Sequence, residues 1–349
     1  MRKVAGLVVV AGVVLGAAAG LAVRGAEAGA GGEPVFRNPI VKQRADSQVY
    51  LHTDGYYYFT GTVPEYDRLE LRRAKTIQGL GNPAAGDIKT VWKKHETGPM
   101  GSHIWAPEIH YIDGKWFMYF AAGDAKNVWN IRIYAIENDA ANPLEGQWVE
   151  KGQVKTNWND DKQFALDATT FKHKGQWYFV WAERDPAIKT NSNLYIAKMD
   201  SPTSIEGKGV MISKPEYPWE CVKYKVNEGP AVLEKNGRVF MTYSASATDF
   251  NYCMGMLTAD ADADLLDPKS WKKSAEPVMK SDAAVKVFGP GHNSFTTTPD
   301  GKWDILVYHA RNYAEIVGDP LKDPNRNTRA QVIHWTAEGV PVFMPPAGN

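Results

Sequence analysis

The sequence predicts an all-β fold, a five-bladed β-propeller. Two observations carry this: one strand-turn-strand phrase recurs five times at a near-constant interval, and no stretch shows a convincing long helical pattern. The phrase reads Asp54-Gly55-Tyr56-Tyr57-Tyr58-Phe59, then Asp113-Gly114-Lys115-Trp116-Phe117-Met118-Tyr119-Phe120, then Lys174-Gly175-Gln176-Trp177-Tyr178-Phe179-Val180-Trp181. It returns as Asn236-Gly237-Arg238-Val239-Phe240-Met241-Thr242-Tyr243 and as Asp300-Gly301-Lys302-Trp303-Asp304-Ile305-Leu306-Val307-Tyr308. The turn glycines lie 59, 61, 62 and 64 residues apart. A fixed period of this size marks stacked or radial supersecondary units, and a glycine turn between apolar runs marks a hairpin.

Each unit adds two further strand-like runs after its hairpin. Third strands are expected at Leu69–Ile77, Ile131–Glu137, Asn193–Met199, Tyr252–Thr258 and Arg329–Trp335. Short fourth strands are expected at Thr90–Lys94, Gln147–Lys151, Val210–Ser213, Trp271–Lys273 and Val340–Phe343. Four antiparallel strands repeated five times make a propeller, and a β-helix would need shorter repeats. Length alone suggests about two domains of ~150 residues, but a radial repeat makes one domain of residues 35–349.

The N-terminus reads differently. Arg2 and Lys3 precede an uncharged run from Val4 to Val23, followed by Arg24 and Ala26-Glu27-Ala28. That is the pattern of a secretory signal peptide over residues 1–28, with an uncleaved anchor as the alternative. Residues 29–34 read as a linker, and the expected location is secreted or periplasmic, with no membrane attachment after cleavage. Zero formal net charge gives no basic footprint for nucleic acid. Export leaves open a disulfide between Cys221 and Cys253. Twelve Trp and sixteen Tyr fit either aromatic-rich sheets or platforms for sugar faces.

Counting back from the turn glycines finds an ionisable residue near the start of each blade. Asp46, Glu228 and His292 lie 9 residues before their glycines, Asp167 lies 8 before, and Glu108 lies 6 before, slightly out of step. First strands of a propeller line its channel, so these side chains converge on one mouth. Any one of them alone reads as a turn cap; the shared register does not. Clustered carboxylates push one another's pKa values apart, which separates an acid from a base, and such a pair is the equipment of glycoside hydrolysis.

Arg44-Ala45-Asp46, Trp105-Ala106-Pro107-Glu108, Leu166-Asp167-Ala168 and Asn227-Glu228-Gly229-Pro230-Ala231-Val232-Leu233 together resemble glycoside hydrolase family 43. Tyr57 to Arg68 and Thr242 to Thr248 look like its exo-acting α-L-arabinofuranosidase branch. The resemblance implies a five-bladed propeller, an inverting mechanism and an arabinose-containing substrate such as arabinan. It makes Asp46 the general base, Glu228 the general acid and Asp167 the carboxylate that tunes and orients the acid. It places His292 near the axis, facing a water or a bound cation such as calcium, with no cofactor needed for the chemistry. Ser47 departs from the family, many members of which carry proline after the base.

Trp105, Glu108 and Arg311 are candidate substrate contacts; Trp105 also fits inter-blade packing and Arg311 also fits an ordinary surface arginine. His103, His173 and His309 show no ligand spacing and read as structural. Asp260-Ala261-Asp262-Ala263-Asp264 fails as a calcium loop because Leu265 and Trp271 occupy its glycine and glutamate positions. A β-xylosidase, an arabinoxylan-debranching enzyme and a non-catalytic carbohydrate-binding propeller remain alternatives.

Overall fold

Three of the five glycine turns have both central residues left-handed: Asp113 and Gly114 at φ +48° and +86°, Lys174 and Gly175 at +48° and +86°, and Asn236 and Gly237 at +54° and +71°. That is the type I′ geometry whose twist matches the strands it joins. The computed structural model describes residues 32–159 and 162–348. The expected leader and the first half of the linker therefore lie outside the described residues.

Around these turns the strands assemble into separate antiparallel sheets. Blade one is Ala45–Leu51, Tyr57–Thr62, Arg68–Ala74 and Ile88–Lys93; blade two is Ser102–Ile112, Lys115–Gly123, Arg132–Asn138 and Val149–Gln153. Blade three is Ala165–His173, Gln176–Glu183, Asn193–Ser201 and Val210–Ser213, with Ser204–Ile205 as a short extra strand. Blade four is Asn227–Lys235, Arg238–Ala245, Cys253–Asp260 and Lys272–Lys273. Among the described residues, helix is confined to five 3-10 turns.

Blade five corrects the expectation. Its first three strands are Phe288–Thr297, Asp304–Arg311 and Asn327–Val332, but the run expected as its fourth strand folds back on itself. Pro341–Val342 pairs with His334–Trp335, not with the third strand. The outer edge is filled instead by the N-terminal segment: Ile40 N–H donates to the Thr328 carbonyl and Thr328 N–H to the Val41 carbonyl, both at 2.8 Å. Residues from the two ends of the fold thus complete one sheet and close the ring.

The core is divided into wedges between blades. Tyr58, Leu69 and Leu71 pack on Trp116 and Met118 between blades one and two. Phe117, Tyr119 and Ile133 meet Phe179, Trp181 and Tyr195 between two and three. Val180 and Ile196 meet Met241 and Leu257 between three and four. Phe240 and Met254 meet Leu306 and Tyr308 between four and five. At the closing seam Val49, Phe59, Ile40 and Val41 pack on Ile305 and Val307. The second strands supply apolar residues on both faces because both faces are covered. The five first strands touch in a closed ring around the axis.

Candidate active site

Every first strand carries a bulge at its mouth end, where the register with the second strand slips. At each bulge one residue turns left-handed: Asp46 (φ +52°), Ala106 (+46°), Asp167 (+55°), Gly229 (+55°) and His292 (+44°). These five positions follow one another at 60, 61, 62 and 63 residues. Bulges re-aim side chains, and they concentrate beside active sites. Here the same kink in three blades turns Asp46, Asp167 and His292 toward one another. His292 Nδ1 stands 3.3 Å from Asp46 Oδ1 and 3.9 Å from Asp167 Oδ2.

Glu228 precedes the bulge residue of its blade, at the position Trp105 holds in blade two. Gly229 then takes the left-handed conformation, and its N–H donates to Asp167 Oδ2 at 3.1 Å. Its lack of a side chain matters, because a Cβ there would sit 3.0 Å from the His292 ring. Glu228 Oε1 accepts from the Tyr252 hydroxyl at 2.8 Å.

Asp46 is the most heavily contacted of the carboxylates. Oδ2 accepts from the Thr62 hydroxyl at 2.6 Å, and Oδ1 lies 3.3 Å from Arg326 Nη1. Its backbone N–H donates to His309 Nδ1 at 3.0 Å, so that nitrogen carries no proton and His309 is neutral. The Ser47 hydroxyl lies 2.6 Å from that of Thr328, tying the strand behind Asp46 to blade five.

These neighbours set opposed ionisation. Burial pushes Asp46 up, but His292, Arg326, His309 and the Thr62 hydroxyl override it and hold the carboxyl well below its ordinary value. Burial also lowers His292, and lowers His309 well below its ordinary value. Near neutral pH, where burial leaves both imidazoles uncharged, Arg326 is the full positive charge beside Asp46, and Asp46 with Tyr66 keeps it protonated against burial. Burial pushes Glu228 up to about 7, helped by the charge on Asp46 and opposed by the Tyr252 hydroxyl and Arg326. Burial, followed by the charges of Glu228 and Asp46, raises Asp167 well above its ordinary value. The Asp167–Glu228 pair therefore keeps a proton near neutral pH while Asp46 stays ionised.

Other expected residues fall elsewhere. Glu108 lies two positions past the bulge, inside the axial channel, where its carboxylate meets His110 Nε2 at 2.9 Å. It lines a cavity of about 310 Å³ with Gln48, Thr169, Ala231 and Ser294, the equivalent positions of the other blades, so it is not at the mouth. Arg311 is buried at 1% exposure and its guanidinium is tied to Asp323 Oδ1, the Thr248 carbonyl and the Pro320 carbonyl. It clamps the loop that carries Arg326 and is not open to a sugar. Trp105 is half-buried, stacked on His103 with centroids 4.3 Å apart, edge-on to Tyr66 and Trp129, with no protein partner for Nε1. His103 thus belongs to an aromatic wall at the mouth. Cys221 and Cys253 are both free.

His292 faces Asp46, yet among the described residues no group of three or more His, Cys, Asp and Glu side chains is arranged to hold a metal ion. No step is assigned to a cation. Four residues of the site escaped sequence reasoning. His309 lies in a second strand, where only its partner Asp46 gives it a role. Tyr252 immediately precedes a third strand, with no motif around it. Arg326 sits in an irregular loop without register, and Thr62 ends a strand as one threonine among many.

A propeller whose mouth gathers three carboxylates, with one ionised and another pair holding a proton, defines the class of glycoside-cleaving sites. Residues 36–341 match the family model for glycosyl hydrolases family 43, and the chain belongs to that family. The extracellular exo-α-(1→5)-L-arabinofuranosidase of Streptomyces avermitilis is 57% identical over 314 residues, 90% of this chain and 64% of that protein. A protein of the same description from Streptomyces chartreusis is 53% identical, covering 82% of this chain and 85% of its own length. The chain thus spans just under two thirds of the first of these relatives. The crystal structure of α-L-arabinofuranosidase from Lactobacillus brevis matches with a TM-score of 0.85 at 54% identity, over 90% of this chain and 98% of that one.

Proposed function

We propose that the protein is an inverting exo-α-L-arabinofuranosidase that releases arabinose from α-(1→5)-linked arabinan or arabino-oligosaccharides. The observation that supports this most directly is the opposed ionisation of Asp46 and Glu228 at one mouth. Asp46 accepts a proton from water, whose oxygen attacks the anomeric carbon. Glu228 gives its proton to the glycosidic oxygen as the carbon–oxygen bond breaks, and the anomer inverts. Asp167, hydrogen-bonded to the Gly229 N–H, holds the acid's backbone, while burial and the charge on Asp46 keep the proton on Glu228. An inverting pair stands ~6.5–9.5 Å apart, leaving room for the water. Two carboxylates and water balance every proton, so no cofactor enters this scheme.

The names of the Streptomyces relatives support the sugar, the linkage and export of the protein. Among the described residues no helix is long and apolar enough to cross a membrane. Purified protein is to be given p-nitrophenyl α-L-arabinofuranoside, p-nitrophenyl β-D-xyloside, arabinan and arabinoxylan. Arabinose release from linear arabinan, with the first product anomer inverted by proton NMR, is the expected result. A retained anomer overturns the mechanism; preferential xyloside cleavage overturns the sugar; no cleavage of any pentoside overturns the enzyme reading.

A further inference from the structure

Glu228 is gripped at its carboxyl by the Tyr252 hydroxyl and just past its backbone by Asp167, through the Gly229 N–H. A third grip holds the residue before it. Asn227 is fully buried where the chain enters blade four. Its backbone N–H donates to the Ser192 carbonyl at 3.2 Å, and its carbonyl accepts from the Ser192 hydroxyl at 3.1 Å. Its amide is bound at both ends. Nδ2 donates to Glu220 Oε1 at 2.9 Å, while Oδ1 accepts from the Ser213 hydroxyl at 2.7 Å and from Lys273 Nζ at 3.3 Å. Asparagine fits this place because one end must donate to a carboxylate and the other must accept from a cation.

Glu220 is the centre of this grip. It is fully buried, and its Oε2 accepts from the backbone N–H groups of Glu216 and Tyr217, both at 2.8 Å. Besides the Asn227 amide, Oε1 gathers the Tyr243 hydroxyl at 2.8 Å and Lys273 Nζ at 2.9 Å. Burial pushes this carboxyl up, but the Tyr217 and Glu216 N–H groups and Lys273 override it and hold it below its ordinary value. Lys273 comes from the fourth strand of blade four with its side chain 11% exposed, and its Nζ also donates to the Lys214 carbonyl at 2.6 Å. The loop between blades three and four is thus moored to blade four, and it delivers Asn227 in one place.

Stability is a weak reason for this ion pair. Taking a carboxylate and an ammonium out of water costs about as much as their attraction returns, and apolar side chains of similar volume often fill such a place as well or better. What apolar side chains cannot do is hold an amide at both ends. A proton donor must stand within hydrogen-bond reach of the oxygen it protonates, and a misplacement of about 1 Å costs ~10²-fold in rate. Apart from burial, the groups that set the ionisation of Glu228 are Tyr252, Asp46 and Arg326. The Glu220–Lys273 pair therefore reaches the chemistry through position, by way of the one residue that joins it to Glu228.

We propose that Glu220 and Lys273 are positioning residues for the reaction: by clamping the two ends of the Asn227 amide they aim the Glu228 carboxyl at the leaving oxygen. This rests on the functional reading above, in which Glu228 is the acid. The test uses a linear arabino-oligosaccharide, whose leaving sugar must be protonated, and 2,4-dinitrophenyl α-L-arabinofuranoside, whose leaving group needs no proton. Asn227→Asp turns the donor end of the amide into a charge against Glu220, and the double variant Glu220→Gln/Lys273→Met removes the ion pair at nearly constant volume. Glu228→Gln is the reference. The expected result for both variants is a loss of about 10–100-fold in kcat on the oligosaccharide with KM unchanged, and of less than about threefold on the aryl substrate. A loss shared equally by the two substrates marks a merely structural role and overturns the proposal, as does activity unchanged on both. Where circular dichroism shows that a variant does not fold, Tyr243→Phe, which takes one hydroxyl from Glu220, carries the same comparison: a split in the same direction upholds the proposal and none overturns it. If Glu228→Gln itself fails to separate the substrates, the functional reading falls and this proposal with it. If Glu228→Gln separates them and the other variants do not, this proposal alone falls.

Discussion

Arg326 and Tyr252 govern how the two proposed catalytic carboxylates divide a proton. Activity needs Asp46 ionised and Glu228 protonated, so it is lost as pH falls through the pKa of Asp46 and as pH rises through that of Glu228, about 7. Tyr252→Phe removes a donor that favours the charged form of Glu228, so the pKa rises and the alkaline limb of kcat/KM moves to higher pH. A hydrogen bond to a charged group is worth ~1.5–3 kcal/mol, which corresponds to a shift of about one to two pH units. Arg326→Gln withdraws a positive charge that lowers both carboxyls, so both limbs move up. A pH–rate profile that stays in place for both variants removes this account. Glu228→Gln should lower kcat by about 10²–10⁴ on an oligosaccharide and far less on an aryl substrate with a good leaving group. Asp46→Asn should cut both alike, and steady-state kinetics on the two substrates separates the roles.

At the scale of the element, the first-strand bulge explains what the register count captured and where it slipped. Asp46, Asp167 and His292 fall at matching offsets because each is the left-handed residue of its blade. Glu108 was out of step because Ala106 holds that position and Glu108 points into the channel two residues on. Glu228 looked in step only because a loose count cannot separate neighbours; Gly229 is the true equivalent. The carboxylates were therefore legible through repetition, while Arg326 and His309 were not, since a partner across 280 or 263 residues leaves no local pattern. The same geometry predicts opposite outcomes for two small substitutions. Gly229→Ala forces a Cβ into the left-handed region, costing roughly 1–2 kcal/mol, and presses it on His292. Thermal unfolding should show that loss and kcat should fall with it, because Glu228 and the Asp167 hydrogen bond move. Ala106→Gly relieves the same strain at a site with no proposed chemistry, and should leave kcat intact with stability unchanged or raised by up to about 1 kcal/mol.

For the whole molecule, five wedges of core transmit stability only if the ring is closed, and closure rests on a seam that periodicity could not reveal. The repeat predicted a fourth strand for blade five from the C-terminal run, as in the other blades. That run is too short and too interrupted by Gly339, Pro341 and Pro345 to follow the third strand. The edge it leaves is taken by Asn38, Ile40 and Val41. The Asn38 amide donates to the Ala330 carbonyl at 3.0 Å and accepts from the Ala330 N–H at 2.9 Å, imitating a strand residue where Pro39 interrupts the backbone. Ile40 and Val41 bury themselves at 4% and 2% exposure against blades one and five. A chain beginning at Arg44 loses all of these contacts and opens the ring. Burial of the two side chains alone is worth about 3–6 kcal/mol, so this chain should melt far below one beginning at Val35. Asn38→Ala isolates the seam within the full chain, leaving the Ala330 N–H buried without its acceptor at a cost of about 1–3 kcal/mol. Because Asp46 lies five residues after Val41 and His309 pairs with Thr328 in the neighbouring strand, the seam also spans the proposed base and its neighbour. Loss of closure should therefore reduce the proposed arabinofuranosidase activity at temperatures where circular dichroism still reports intact sheets. If the chain beginning at Arg44 melts and turns over as the longer one does, the ring is held shut elsewhere.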